Sequence, residues 1–230
     1  MCEVSFCFLD FIHIWNIKKG LEKQVILVKK MKEKVILKSA HPEEYPDLVI
    51  ECRVIANDKI GEYLESIPNE RKFYAYKSAS VKARKGNVGE TINSLLRTTI
   101  DGRKYILGEE STVVCEREFN GENVPDMVIT NDRSTSNEEY VVKMQKFVSS
   151  YTKDEESEEA RFIPVYDSRL FTKIDENVII MTAWGSPAIC LAGSYIVTYN
   201  AEENDYNTVE KGAFESTYTK EEEKSKNLVK

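Results

Sequence analysis

Cys2, Cys7, Asp10 and His13 put four metal-ligand side chains within twelve residues, and a zinc ion is what such a set would hold. A structural zinc site usually takes cysteines about two to four residues apart, matched by a second pair of ligands. Here four residues separate Cys2 from Cys7, no second pair exists, and the segment is otherwise apolar. Buried free cysteines are the better reading, so no metal and no cofactor is expected. The five cysteines, at 2, 7, 52, 115 and 190, are odd in number and form no CxxC, which suits reduced thiols inside a cell. The only histidines are His13 and His41, and no G-x-S-x-G, Walker-type or H-E-x-x-H motif occurs. Without a nucleophile and base in a recognisable pattern, the chain is expected not to be an enzyme. Asp47 and Asp126 stand at matching places beside turns, as paired carboxylates would, but Ser194 fills the third such place. A side chain capping a turn accounts for all three.

A second chemical possibility lies at Lys85-Gly86-Asn87-Val88-Gly89, flanked by Lys82 and Arg84. Residues 89–98 place Ile92, Leu95 and Leu96 at helical spacing, which predicts a short amphipathic helix after the loop. A GxxG loop opening a helix resembles the backbone-clamping loop of KH domains, which implies single-stranded nucleic-acid binding through Gly86 and Gly89. The plainer reading is a strand–turn–helix connection that needs glycine for its backbone freedom. Net charge of −7 also argues against a general nucleic-acid or membrane-surface binder. Trp184, in the turn Trp184-Gly185-Ser186-Pro187, is a further candidate contact for a partner.

These residues sit in a chain that repeats itself. Residues 147–156 and 214–223 agree at seven of ten positions at an offset of 67 residues. Upstream of each lies a turn, an apolar strand and an acidic-Tyr pair, Glu139-Tyr140 and Asp205-Tyr206. A third, more divergent copy reads from Asp47 through Gly61-Glu62-Tyr63 to Phe73 and Tyr76. The signature positions are thus Asp47, Asp126, Ser194, Tyr140, Tyr206, Phe147, Tyr151, Phe214 and Tyr218. Internal repetition at this period marks small units that pack on one another, because each is near the lower limit for an independent core.

The expected organisation is an apolar leader at 1–16, a divergent unit at 17–78, units at 79–158 and 159–225, and a tail at 226–230. Glu3, Asp10 and His13 interrupt the leader, which has neither the basic start nor the cleavage site of a signal peptide. It is also too short and too polar to span a bilayer, so a cytoplasmic location is expected. With 41% apolar and 31% charged residues the chain has an ordinary globular composition.

Val25–Val28 and Val35–Leu37 read as strands of a hairpin, 48–55 and 80–84 as further strands, and Asp101-Gly102 as a turn before strands at 103–107 and 112–117. Another strand is expected at 127–130. Beyond it, Met144, Phe147 and Tyr151 share one helical face and the acidic residues after them form a fraying end. Strands near 162–166, 177–183, 187–191 and 194–199 precede a second helix, with Phe214 and Tyr218 one turn apart. The class is β-dominated α+β, in two to three tandem strand-rich units each closed by a short helix.

Ile163-Pro164-Val165, Thr182-Ala183-Trp184-Gly185, Gly193-Ser194-Tyr195 and Phe214 to Tyr218 together resemble the PGDYG domain family, small proteins largely of bacteria and phages. Val81-Lys82-Ala83 and Glu139-Tyr140 through Tyr151 resemble that family's opening and closing segments. The chain departs from the pattern at Ser194, where the aspartate is lost, and at Pro46 and Pro125, which replace glycine. The resemblance implies an architecture and no reaction. The reading is therefore a non-enzymatic binding protein whose partner is a protein or small ligand. Nucleic-acid binding through residues 86–89 is the alternative, and an enzyme built at a cleft between units is third.

Overall fold

The computed structural model describes residues 32–134, 137–157, 159–182 and 185–222. The described residues open with β1 (Lys32–Ser39), β2 (Leu48–Val54), the helix α1 (Ile60–Glu65), β3 (Lys72–Lys77) and β4 (Val81–Lys85). A long hairpin, β5 (Thr91–Ile100) and β6 (Arg103–Val113), and a short one, β7 (Glu116–Phe119) and β8 (Glu122–Pro125), follow. Then come β9 (Met127–Asn131), β10 (Glu138–Val142), α2 (Met144–Ser150), β11 (Tyr151–Lys153) and β12 (Arg161–Pro164). The chain continues through β13 (Arg169–Lys173), β14 (Val178–Met181), β15 (Pro187–Cys190), β16 (Tyr195–Asn200), β17 (Asp205–Val209), α3 (Lys211–Thr217) and β18 (Tyr218–Glu221). The class is β-dominated, as β-branched and aromatic runs between turn residues dictate.

Three larger sheets and the two-stranded β7–β8 ribbon organise these strands. The six-stranded sheet runs β15-β14-β2-β1-β6-β5 and packs Leu37, Tyr105 and Leu191 at its core. The two five-stranded sheets run β10-β9-β4-β12-β11 and β17-β16-β13-β3-β18. Their orders correspond strand for strand, and so do their registers. Tyr140 pairs with Ile129 and Ile129 with Ala83, as Asn207 pairs with Val197 and Val197 with Phe171. Tyr151 lies opposite Pro164 as Tyr218 lies opposite Lys77. The Val165 amide donates to the Ser150 carbonyl at 2.8 Å, and the Ser78 amide to the Thr217 carbonyl at 2.9 Å. Phe147 anchors one sheet against Val81, Met127 and Ile129; Phe214 anchors the other against Phe73, Phe171 and Val197.

Sheet membership crosses the boundaries expected from sequence. β3, inside the supposed 17–78 unit, lies between β13 and β18 of the last sheet. β12, inside the supposed 159–225 unit, lies between β4 and β11 of the preceding one. Each five-stranded sheet thus takes one strand from the chain segment that leads directly into the other. Two crossing connections, residues 78–80 and 165–168, join the halves.

Several local expectations change. The supposed third copy does not share the order of the other two. Gly61, Glu62 and Tyr63 lie in α1, because Ile60, Tyr63 and Leu64 bury one helical face, while Phe73 and Tyr76 lie on a strand. Tyr206 is not the counterpart of Tyr140. It pairs with Thr198, one register step from the Asn207–Val197 pair, so it faces the α1 core while Tyr140 packs near Phe147. Both closing helices stop one residue before their tyrosine. Tyr151 and Tyr218 have extended backbones and open β11 and β18, so the chain continues in a sheet where a fraying helix end was expected. The rings still stack on the helical phenylalanines, at 5.4 Å for Phe147–Tyr151 and 5.3 Å for Phe214–Tyr218.

Val35–Leu37 pairs with β2, while Val25–Val28 lies outside the described residues. The strands expected at 103–107 and 112–117 are instead the single β6 followed by β7. The helix expected at 89–98 is β5, hydrogen-bonded to β6 along its length. Ile92 and Leu96 share one face of this strand and Leu95 lies half-buried on the other, a spacing that also fits a helix.

Candidate functional site

The expected contact loop is a tied connector. Gly89, with φ of 85°, turns the chain from β4 into β5, so no helix N-terminus faces a phosphate there. A side chain at Gly86 would strike the Val114 methyls at 2.7 Å, and packing accounts for that glycine. Arg84 forks onto Glu90, with Nη1 donating to Oε2 at 2.9 Å and Nη2 to Oε1. Glu90 also accepts the Asn87 amide at 3.0 Å, and these bonds, the Arg84 one foremost, pull its carboxyl down to about 2. Lys82 pairs with Glu159 at 2.9 Å and holds that carboxyl below its usual range. Arg161 and Asp132 form a bidentate pair beside it. Of the three basic residues Lys82, Arg84 and Lys85, two are thus occupied by carboxylates. The KH-like geometry is absent: the loop leads into a strand and its cations are largely neutralised.

The other candidate positions are structural or outside the described residues. Asp47 Oδ1 accepts the Ser39 amide at 2.9 Å, Asp126 Oδ2 the Cys115 amide at 3.1 Å, and Ser194 Oγ the Lys211 amide at 3.2 Å. Each side chain ties the start of a strand to a neighbouring segment. Tyr140 and Tyr151 share a hydroxyl contact at 3.1 Å, to which Lys77 Nζ adds a bond at 3.2 Å, and burial raises the Tyr140 hydroxyl well above its ordinary range. Cys2, Cys7, Asp10, His13 and Trp184 lie outside the described residues. The turn beside Trp184 closes through Thr182 Oγ1 donating to the Ser186 carbonyl at 2.8 Å.

A concavity among the described residues lies elsewhere, where β5 and β6 meet α3. It is an open cleft of about 260 Å³, lined by Arg97, Thr98, Thr99 and Lys104 on one side and Glu210, Lys211, Gly212 and Glu215 on the other. The tight turn at Asp101-Gly102, both with positive φ, sets β5 against β6 so that Thr99 lies opposite Lys104. The Tyr45 hydroxyl fixes Lys104 from behind, donating to its carbonyl at 2.8 Å and accepting from its amide at 2.9 Å. Across the cleft, Glu210 caps α3 by accepting the Ala213 amide at 2.9 Å through Oε2. Its Oε1 accepts from Thr98 Oγ1 at 3.1 Å. Both residues are buried, so this bond pins the hairpin of one half to the closing helix of the other.

Both Glu210 oxygens are engaged, and neither histidine nor cysteine lines the walls. Sequence reasoning missed this place because glutamate is not a preferred N-cap residue and its partner Thr98 stands 112 positions away. His41, Glu43 and Glu44 bring ligand atoms within 4.8 Å of one another at another turn, but all three are exposed, as carboxylates at a solvated turn commonly are. Among the described residues no helix is long and apolar enough to cross a membrane. Comparisons with protein-family models, curated proteins and solved structures find no match to the chain, so its site is read from its own geometry.

Proposed function

We propose that the chain is a non-enzymatic binding protein made of two related β-rich halves, and that it holds its ligand in the cleft between them. The observation that carries this reading is the Thr98–Glu210 bond, which joins the two halves at the wall of the cleft. A cleft shared by two halves suits recognition, because most of its lining side chains lie off the faces that build the cores. Lys211, Gly212 and Glu215 are solvent-side positions of α3, and the long β5–β6 hairpin is built differently from the short β14–β15 hairpin of the other half. The resemblance to the PGDYG family bears on this architecture and supplies no reaction. Cys52 and Cys190 are buried free thiols and Cys115 is a free thiol, which supports action in a reducing cytoplasm.

Titration of the labelled full-length chain with a library of small fragments tests the reading by amide chemical shift. Binding fragments are expected to move the amides of residues 97–99, 104 and 210–215 together. If binding fragments instead move only the amides of residues 82–89, the cleft is not the site and the loop is.

A further inference from the structure

We infer that the cleft takes a small anion, a phosphate or carboxylate group on a compact ligand. This inference rests on the proposed binding role and names the ligand class. At about 260 Å³ the cleft lies below the range of about 300–1,000 Å³ usual for drug-sized ligands, so its occupant has few heavy atoms. Three of its lining residues are cationic: Arg97 and Lys104 on the hairpin, and Lys211 on the helix. Of the two carboxylates, Glu210 has both oxygens turned to protein donors, the Ala213 amide and the Thr98 hydroxyl. Glu215 meets Lys211 only at 3.9 Å in an exposed i,i+4 pair, a contact of small value in water. Lys104 has no ion-pair partner within 4.0 Å among the described residues, although Tyr45 holds its backbone in place. The lining cations thus outnumber the carboxylates, Glu210 is turned to protein donors, and the backbone that carries Lys104 is fixed. Thr99, opposite Lys104, adds a hydroxyl that can donate to an anionic oxygen.

The test uses the full-length chain with inorganic phosphate, succinate and, as a neutral probe, erythritol, followed by amide chemical shifts and calorimetry. Phosphate or succinate is expected to saturate shifts at residues 97–99, 104 and 211–215, with affinity falling several-fold between about 0.02 and about 0.2 M ionic strength. Lys104→Glu should weaken binding about tenfold or more, while Lys34→Glu on β1, also an exposed strand lysine, leaves it unchanged. Lys211→Gln is the second variant should Lys104→Glu disturb the fold, and a several-fold loss is expected. Anion shifts that survive both cleft variants, or that are spread over surface lysines, overturn the inference. Erythritol or neutral fragments moving the cleft amides while neither anion does would overturn the anion and leave the binding reading standing. Cleft amides that answer to no probe at all would remove both.

Discussion

Phe214→Ala is expected to cost about 3–5 kcal/mol, the usual range for emptying a buried aromatic site. Phe214 is 3% exposed and lies 5.5 Å from Phe73, 5.1 Å from Phe171 and 4.3 Å from Tyr195, ring centre to ring centre. Because Phe73 belongs to β3, the loss should spread beyond the C-terminal segment. Amides of residues 72–77 should lose hydrogen-exchange protection together with those of 195–221, although more than a hundred residues separate them in the chain. Denaturant unfolding followed by exchange reads both effects. A midpoint shift within the usual surface-substitution scatter of about 0.5 kcal/mol would mean that Phe214 is not a core anchor.

Asp126→Ala should be the largest of the polar losses, about 1.5–3 kcal/mol, as for hydrogen bonds to a charged group. The Asp126 side chain is 3% exposed, accepts the Cys115 amide at 3.1 Å and pairs with Arg117 Nε at 3.1 Å. It holds the β7–β8 hairpin to the start of β9. Ser194→Ala, at the matching position, removes a single neutral bond to the Lys211 amide and should cost about 0.5–1.5 kcal/mol. Equal costs in urea unfolding would show that charge at Asp126 contributes nothing. A larger cost at Ser194 would reverse the assignment.

Much of the strand content was legible because it depends on local pattern. The expectations at 48–55, 80–84, 127–130 and 194–199 meet β2, β4, β9 and β16 within a residue or so, and Asp101-Gly102 is the tight turn that its residue types imply. The failures have a common cause in pairing. Thr91–Ile100 half-buries Leu95 on one face and Leu96 on the other, so with Ile92 its apolar residues fall at a spacing that also fits a helix, and only the hydrogen bonds to β6 decide between the two. Tyr140 and Tyr206 share an acidic neighbour in sequence, yet a single register step puts them on opposite faces. The exchange of β3 and β12 could not be read at all. A strand such as Lys72–Lys77 carries the same alternation whichever sheet receives it, and the choice is made by residues far along the chain.

The candidate site follows the same division. The turn and cap roles of Asp47, Asp126 and Ser194 could be read from residue type and position. The Arg84–Glu90 fork was hidden because residues 85–89 were read as a loop that opens a helix at Gly89. Nothing local marks the cleft, which exists because Thr98 and Glu210 meet across the two halves.

The fold turns on two five-stranded sheets that exchange strands, and cross-strand nuclear Overhauser contacts on the labelled full-length chain test that exchange most directly. Contacts are expected from Phe162 to Val81 and from Arg161 to Lys82, and likewise from Phe73 to Phe171 and from Ala75 to Lys220. If residues 161–164 instead contact 169–173 or 218–221, the chain folds as units in tandem and the exchange is contradicted.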